Sequence, residues 1–145
     1  MSQAAVIRLV KSLSKSEKRH FKLYSRKHDG NKEYLTLFDL IDRNDFINKA
    51  LLEEKFGQSH AGVSVDNTAR YLLRVLTDCL IQTRVKEDDL FLLLHGMLRV
   101  HIFKERNLPE EGYRELKKLQ QVAIASQEQF IEYLFYRYEL NYLTE

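Results

Sequence analysis

A chain of 145 residues with 44% hydrophobic side chains is the size of one domain and can bury a core, which excludes an intrinsically disordered protein. Five glycines and one proline, against abundant Leu, Lys, Glu and Arg, exclude a turn-rich β architecture and point to an all-α fold of about eight helices on short connections. The net charge of +2 hides a polarised molecule: residues 1–32 hold nine Lys/Arg against two Asp/Glu, a local +7, and the remainder is −5.

The first helix is expected over about residues 3–12, where Val6, Leu9, Val10 and Leu13 recur at the spacing of one buried face. Ser14-Lys15-Ser16-Glu17 fits a capping box and opens a second helix. Its apolar side is thin, chiefly Phe21 and Tyr24, so it belongs at the rim of the core, and Asp29-Gly30-Asn31 reads as the turn that ends it. On the same helix Lys15, Lys18, Arg19, Lys22 and Arg26 fall within roughly 100° of the circumference, a basic stripe that can meet phosphate, an acidic partner, the acidic remainder of the same chain or only water.

Tyr34, Leu37, Phe38 and Ile41 mark a third helix over residues 32–43, broken by Asn44-Asp45. Asn48 caps a short fourth helix, 49–56, with Leu51, Leu52 and Phe56 inward and Gly57 just past its end. Beyond a loop of small residues, Asp66 or Ser64 opens a fifth helix to about Val85, whose Leu72, Val75, Leu76, Cys79 and Leu80 form a long apolar face. Asp88-Asp89 caps a sixth, about 90–106, read with Leu90, Leu93, Leu94, Met97, Leu98, His101 and Ile102 inward.

Pro109, Glu110 and Glu111 suit the first turn of a seventh helix, which runs to about Ser126 on Tyr113, Leu116, Leu119 and Ala123. A final helix begins near Gln127. Its residues Ile131, Leu134, Phe135, Tyr138 and Tyr142 make one apolar stripe, while Tyr133, Tyr136, Leu140 and Leu143 make a second on roughly the opposite side. A helix apolar on two sides needs two neighbours, so the second stripe calls for a partner subunit, for further helices of a longer array or for the early helices folding back over it.

No constellation of catalytic or metal-binding type emerges. His20, His28, His60, His95 and His101 form no His-x-x-x-His pair, no Cys-x-x-Cys occurs, and no glycine-rich phosphate loop is present. His101 with Glu105 reads as an ordinary i, i+4 pair, and Cys79, the single cysteine, as packing on a buried face. The expectation is a protein that is not an enzyme and takes no cofactor, metal or small-molecule substrate. With one cysteine, no secretory leader pattern and no apolar run near the roughly 20 residues of a membrane span, a reduced cytoplasmic setting without membrane insertion is expected. The second helix also lacks the broad apolar face of an interfacial helix.

Two interaction readings compete. The segment 49–80 has a helix-turn-helix order that places Asn67, Thr68, Arg70, Tyr71 and Arg74 near the front of a would-be recognition helix. Its connection is longer than the usual three or four residues, and Asp66 would set a carboxylate near phosphates. Residues 93–126, with Phe103, Gly112, Leu116 and Leu119, resemble a tetratricopeptide-type hairpin, in which a small residue lets two helices approach closely. The tryptophan, the small residue early in the first helix and the closing proline of that pattern are missing, so its concave ligand surface does not carry over.

The run Leu9-Val10-Lys11-Ser12-Leu13-Ser14-Lys15-Ser16-Glu17-Lys18-Arg19-His20-Phe21-Lys22-Leu23-Tyr24, followed by Tyr34-Leu35-Thr36-Leu37-Phe38-Asp39, resembles the opening of a family of functionally uncharacterised bacterial helical proteins. The resemblance covers about residues 6–80. It implies continuation into tetratricopeptide-like helices, with residues 1–145 as an N-terminal portion, and brings no activity or site. The expected organisation is an N-terminal helical bundle, 1–87, followed by a tetratricopeptide-like hairpin plus one helix, 88–145, packed as one unit. The expected function is a non-catalytic scaffold or adaptor that engages a protein partner or another copy of itself through Tyr133, Tyr136, Leu140 and Leu143. The alternative is a nucleic-acid-binding regulator using the basic stripe and the recognition-like helix.

Overall fold

The computed structural model describes residues 2–27, 32–127 and 129–144, the side chains of Ser2 and Phe130 excepted. Among them every regular element is helical: α1 (Ser2–Ser12), α2 (Lys15–Arg26), α3 (Glu33–Arg43), α4 (Lys49–Ser59), α5 (Val65–Arg84), α6 (Asp89–Glu105), α7 (Pro109–Ala125) and α8 (Gln129–Leu143). The fold is thus all-α with eight helices among the described residues. None of them is long and apolar enough to cross a membrane. The expected turn at Asp29-Gly30-Asn31 lies outside the described residues.

The helix starts follow side-chain chemistry. The Ser14 hydroxyl accepts from the Glu17 N–H at 3.2 Å while the Glu17 carboxylate accepts from the Ser14 N–H at 2.7 Å, closing the capping box at the head of α2. Asn48 caps α4 through Leu51 N–H at 2.9 Å, and Asp88 caps α6 through Leu90 N–H and Phe91 N–H. Ser64 rather than Asp66 opens α5, its hydroxyl accepting from the Asn67 N–H at 3.3 Å.

The stop of α4 differs from the sequence expectation. The helix continues through Gly57 to Ser59, because nothing at Gly57 demands a left-handed turn and His60 N–H still donates to the Phe56 carbonyl at 2.9 Å. The left-handed residue is Gly62, at φ +82°, in the connection to α5. At the end of α6, Asn107 takes φ +56°. Its N–H donates to the Lys104 carbonyl and Leu108 N–H to the Phe103 carbonyl, a Schellman closure with asparagine in the place glycine usually holds.

The chain divides into two compact units, Met1–Leu80 and Ile81–Glu145. The division falls inside α5 rather than at residue 87, because Ala69, Leu72, Leu76 and Cys79 of that helix all belong to the N-terminal core and its last turn does not. That core gathers Val6 and Val10 from α1, Phe21 from α2, Tyr34, Leu37, Phe38 and Ile41 from α3, and Leu52 and Phe56 from α4. Phe21 packs on Phe38 with ring centroids 4.6 Å apart and meets Tyr34 edge-on at 6.4 Å, so the thin apolar side of α2 is its anchor.

In the C-terminal unit Gly96 faces Leu119, Arg99 pairs with Glu115 and Phe103 faces Gly112, a register that runs α6 and α7 antiparallel. Leu93, Val100, Leu116, Leu119, Ala123, Ile131 and Phe135 form its core. The inward face of α6 is therefore Leu93, Gly96 and Val100. Leu90, Leu94, Leu98, His101 and Ile102, expected inward, are exposed, Leu98 by 64%. The cause is Gly96: its missing side chain lets α7 approach so closely that an added Cβ would lie 2.6 Å from Leu119 Cδ1 and 3.0 Å from its Cγ. Gly96 thus supplies a small residue on the first helix of the hairpin, and Gly112 supplies one on the second.

Candidate functional site

The basic stripe of α2 is divided by its neighbour. Lys18 Nζ lies 2.6 Å from Asp42 Oδ1 and Lys22 Nζ 3.1 Å from Asp39 Oδ1, both carboxylates on α3. Lys11 reaches Asp45 more loosely, at 3.8 Å. Lysines four apart on one helix meet aspartates three apart on the other, so two stripe positions are spent holding α2 to α3. Lys15, Arg19 and Arg26 stay exposed, with no carboxylate at ion-pair distance among the described residues.

The recognition-like helix is likewise divided. Asn67, Arg70 and Arg74 are exposed on α5, but Thr68 is only 7% exposed and its hydroxyl donates to the Ser64 carbonyl at 3.0 Å. Thr68 precedes Leu72 and Leu76 at four-residue steps, which puts it on the core face; it cannot read a base edge from there. Arg74 lays its guanidinium over the Tyr71 ring, 5.2 Å from the centroid, and Tyr71 meets Tyr34 at 5.2 Å. Beside this stack lies a cleft of about 410 Å³ lined by Glu33, Tyr34, Val63, Ser64, Asn67, Thr68 and Tyr71. The five-residue connection His60–Ser64 between α4 and α5 exceeds the usual three or four residue turn.

Helix α8 presents the two faces expected of it. Ile131 and Phe135 are buried against α7, with Leu134, Tyr138 and Tyr142 half-buried. Tyr133, Tyr136, Leu140 and Leu143, the second stripe, are 58%, 46%, 60% and 69% exposed. What fixes α8 is partly polar. Glu139 accepts from three groups of α7: Lys117 Nζ at 2.5 Å, Gln120 Nε2 at 2.7 Å and Tyr113 Oη at 3.3 Å. The Lys117 and Gln120 hydrogen bonds hold the Glu139 carboxyl below its ordinary pKa, and the same carboxylate raises that of Lys117. One turn further along the same end of α8, Tyr142 crosses Gly112 and donates to the Val100 carbonyl of α6 at 3.3 Å. The exposed stripe thus rides on a helix clamped at two points.

Three features carry no signature in the sequence. Gln3 is 2% exposed, and its amide donates to Glu53 Oε1 at 2.9 Å and Asp66 Oδ1 at 3.0 Å, tying α1 to α4 and α5; a glutamine at a helix start gives no hint of burial. The outer row Leu90, Leu94, Leu98 and Ile102 is hidden by the all-round apolarity of α6, where periodicity cannot choose a face. The Glu139 cluster joins residues of two helices and follows no local spacing. No group of three His, Cys, Asp or Glu side chains among the described residues is placed to hold a metal ion. Cys79 is buried, and burial pushes its thiol pKa up.

Comparison with family models, with curated proteins and with solved structures gives no match. The functional reading therefore rests on the geometry.

Proposed function

We propose that the protein is a non-catalytic helical adaptor that binds another protein through the second stripe of α8. The observation that carries this reading is the exposure of Tyr133, Tyr136, Leu140 and Leu143 on a helix whose opposite face is buried. Four large apolar or aromatic side chains in one row lose little conformational entropy when covered, because the helix beneath them is already ordered. Tyrosine at the centre of such a row is the residue type that anchors protein interfaces. The tetratricopeptide-like character of α6 to α8 belongs to the same reading, since small residues at Gly96 and Gly112 set the helices close together.

Replacing Tyr136 by a photo-reactive benzoyl-phenylalanine in cells of the native host tests it. Irradiation is expected to give a covalent protein adduct at Tyr136 and none with the same group at exposed Gln58 on α4. Absence of any adduct at Tyr136 overturns the reading.

A further inference from the structure

We infer that the partner covering α8 is a second copy of this chain, with the two α8 helices side by side and parallel. This rests on the adaptor reading above and names its partner. The spacing of the exposed residues supplies the first argument. Tyr133, Tyr136, Leu140 and Leu143 are separated by three, four and three residues, the alternation of a and d positions in a heptad. A row of this kind fits against a helix carrying the same row, and each copy of the chain offers one.

Charge gives the orientation and the identity of the occupant. With Tyr133 and Leu140 at a, Glu132 and Glu139 fall at g and Arg137 at e. In a parallel pair, a g residue faces the e residue five positions on in the other helix. Glu132 of each copy then meets Arg137 of the other, and two-fold symmetry makes the pair twice. Glu139 needs no such partner, since Lys117, Gln120 and Tyr113 already hold it. An antiparallel pair with Tyr133 on Leu143 and Tyr136 on Leu140 would bring Arg137 toward Arg137 and Glu139 toward Glu139, like charge on like. The helix forms only two heptads, too few to assemble from unfolded peptides, but its other face is already fixed on α7. The ordering cost falls on folding, not on association.

The inference is tested on the full chain by light scattering and sedimentation over a range of micromolar concentrations. The expected mass is about twice 17.3 kDa. Arg137→Glu, which sets Glu132 against a glutamate on both sides, should raise the dissociation constant on the order of tenfold. Combining Glu132→Arg with Arg137→Glu should restore the wild-type value, a rescue that a merely structural role for Arg137 would not give. Helical circular dichroism identical to wild type confirms that each variant is folded.

A monomer at every concentration overturns the inference, as does a dimer indifferent to Arg137→Glu or one that the reciprocal swap does not rescue. The adduct at Tyr136 separates the two proposals. An adduct of mass other than twice the chain, together with a monomer in solution, removes the self-pairing and leaves the adaptor reading standing. No adduct at all removes both.

Discussion

Glu139 gathers three hydrogen-bond donors of α7, and its effect on stability has a definite pH window. Its carboxyl is held below the unfolded value of about 4.3, so the stabilisation is full above that pH and is lost as pH falls through the lower, folded value. The raised Lys117 works in the opposite sense: its share is present below about pH 10 and is lost as pH rises through the folded value. Water screens much of this pairing, so Glu139→Gln should cost only on the order of 0.5 kcal/mol at neutral pH, and the gap to wild type should close in acid, as read from urea midpoints across pH. Gln127 gives a second test. It holds φ +59° just beyond α7, where a residue with a Cβ is strained. Gln127→Gly should raise the unfolding free energy by about 0.5–1 kcal/mol, measurable by the same titration.

At the level of elements, the glycines of α6 and α7 set how far a substitution can be absorbed. Gly96→Ala gains helix propensity of about 1 kcal/mol but drives a Cβ into the buried Leu119 side chain, for an expected net loss of about 1–2 kcal/mol. Gly112→Ala collides chiefly with the Tyr142 hydroxyl, the tip of a half-buried side chain that can swing aside by giving up its long hydrogen bond to the Val100 carbonyl, and should cost less than Gly96→Ala; urea midpoints of the two variants check the order. The starts of α2, α4 and α6 were legible because caps are local: Ser14, Asn48 and Asp88 act on donors two or three residues away. The inward face of α6 was not, because a helix apolar on every side leaves the choice to whichever neighbour approaches nearest, and Gly96 decided that through a residue more than twenty positions on. Ion pairing between α2 and α3 was open in the sequence for the same reason. Asp42→Asn should lower stability by about 0.5 kcal/mol, an effect that shrinks in molar salt.

For the molecule as a whole, the +7 and −5 segments are partly reconciled within the N-terminal unit, where α3 neutralises the lysines of α2. Were the stripe to hold duplex DNA, the salt slope would be about −3, owed to Lys15, Arg19 and Arg26, and Lys18→Ala would leave it unchanged; the adaptor reading instead expects no binding at low salt. The two stripes of α8 were readable because their positions follow directly from helical spacing, and the structure buries one and bares the other. The Tyr71 cleft was not, since it needs Glu33 and Tyr34 of one helix beside Asn67 of another. Cys79 adds a consequence of its own. As the one thiol in the chain, sealed in the N-terminal core, it is a built-in clock: a disulfide reagent can reach it only when that core opens, so the labelling rate times the opening of one unit alone.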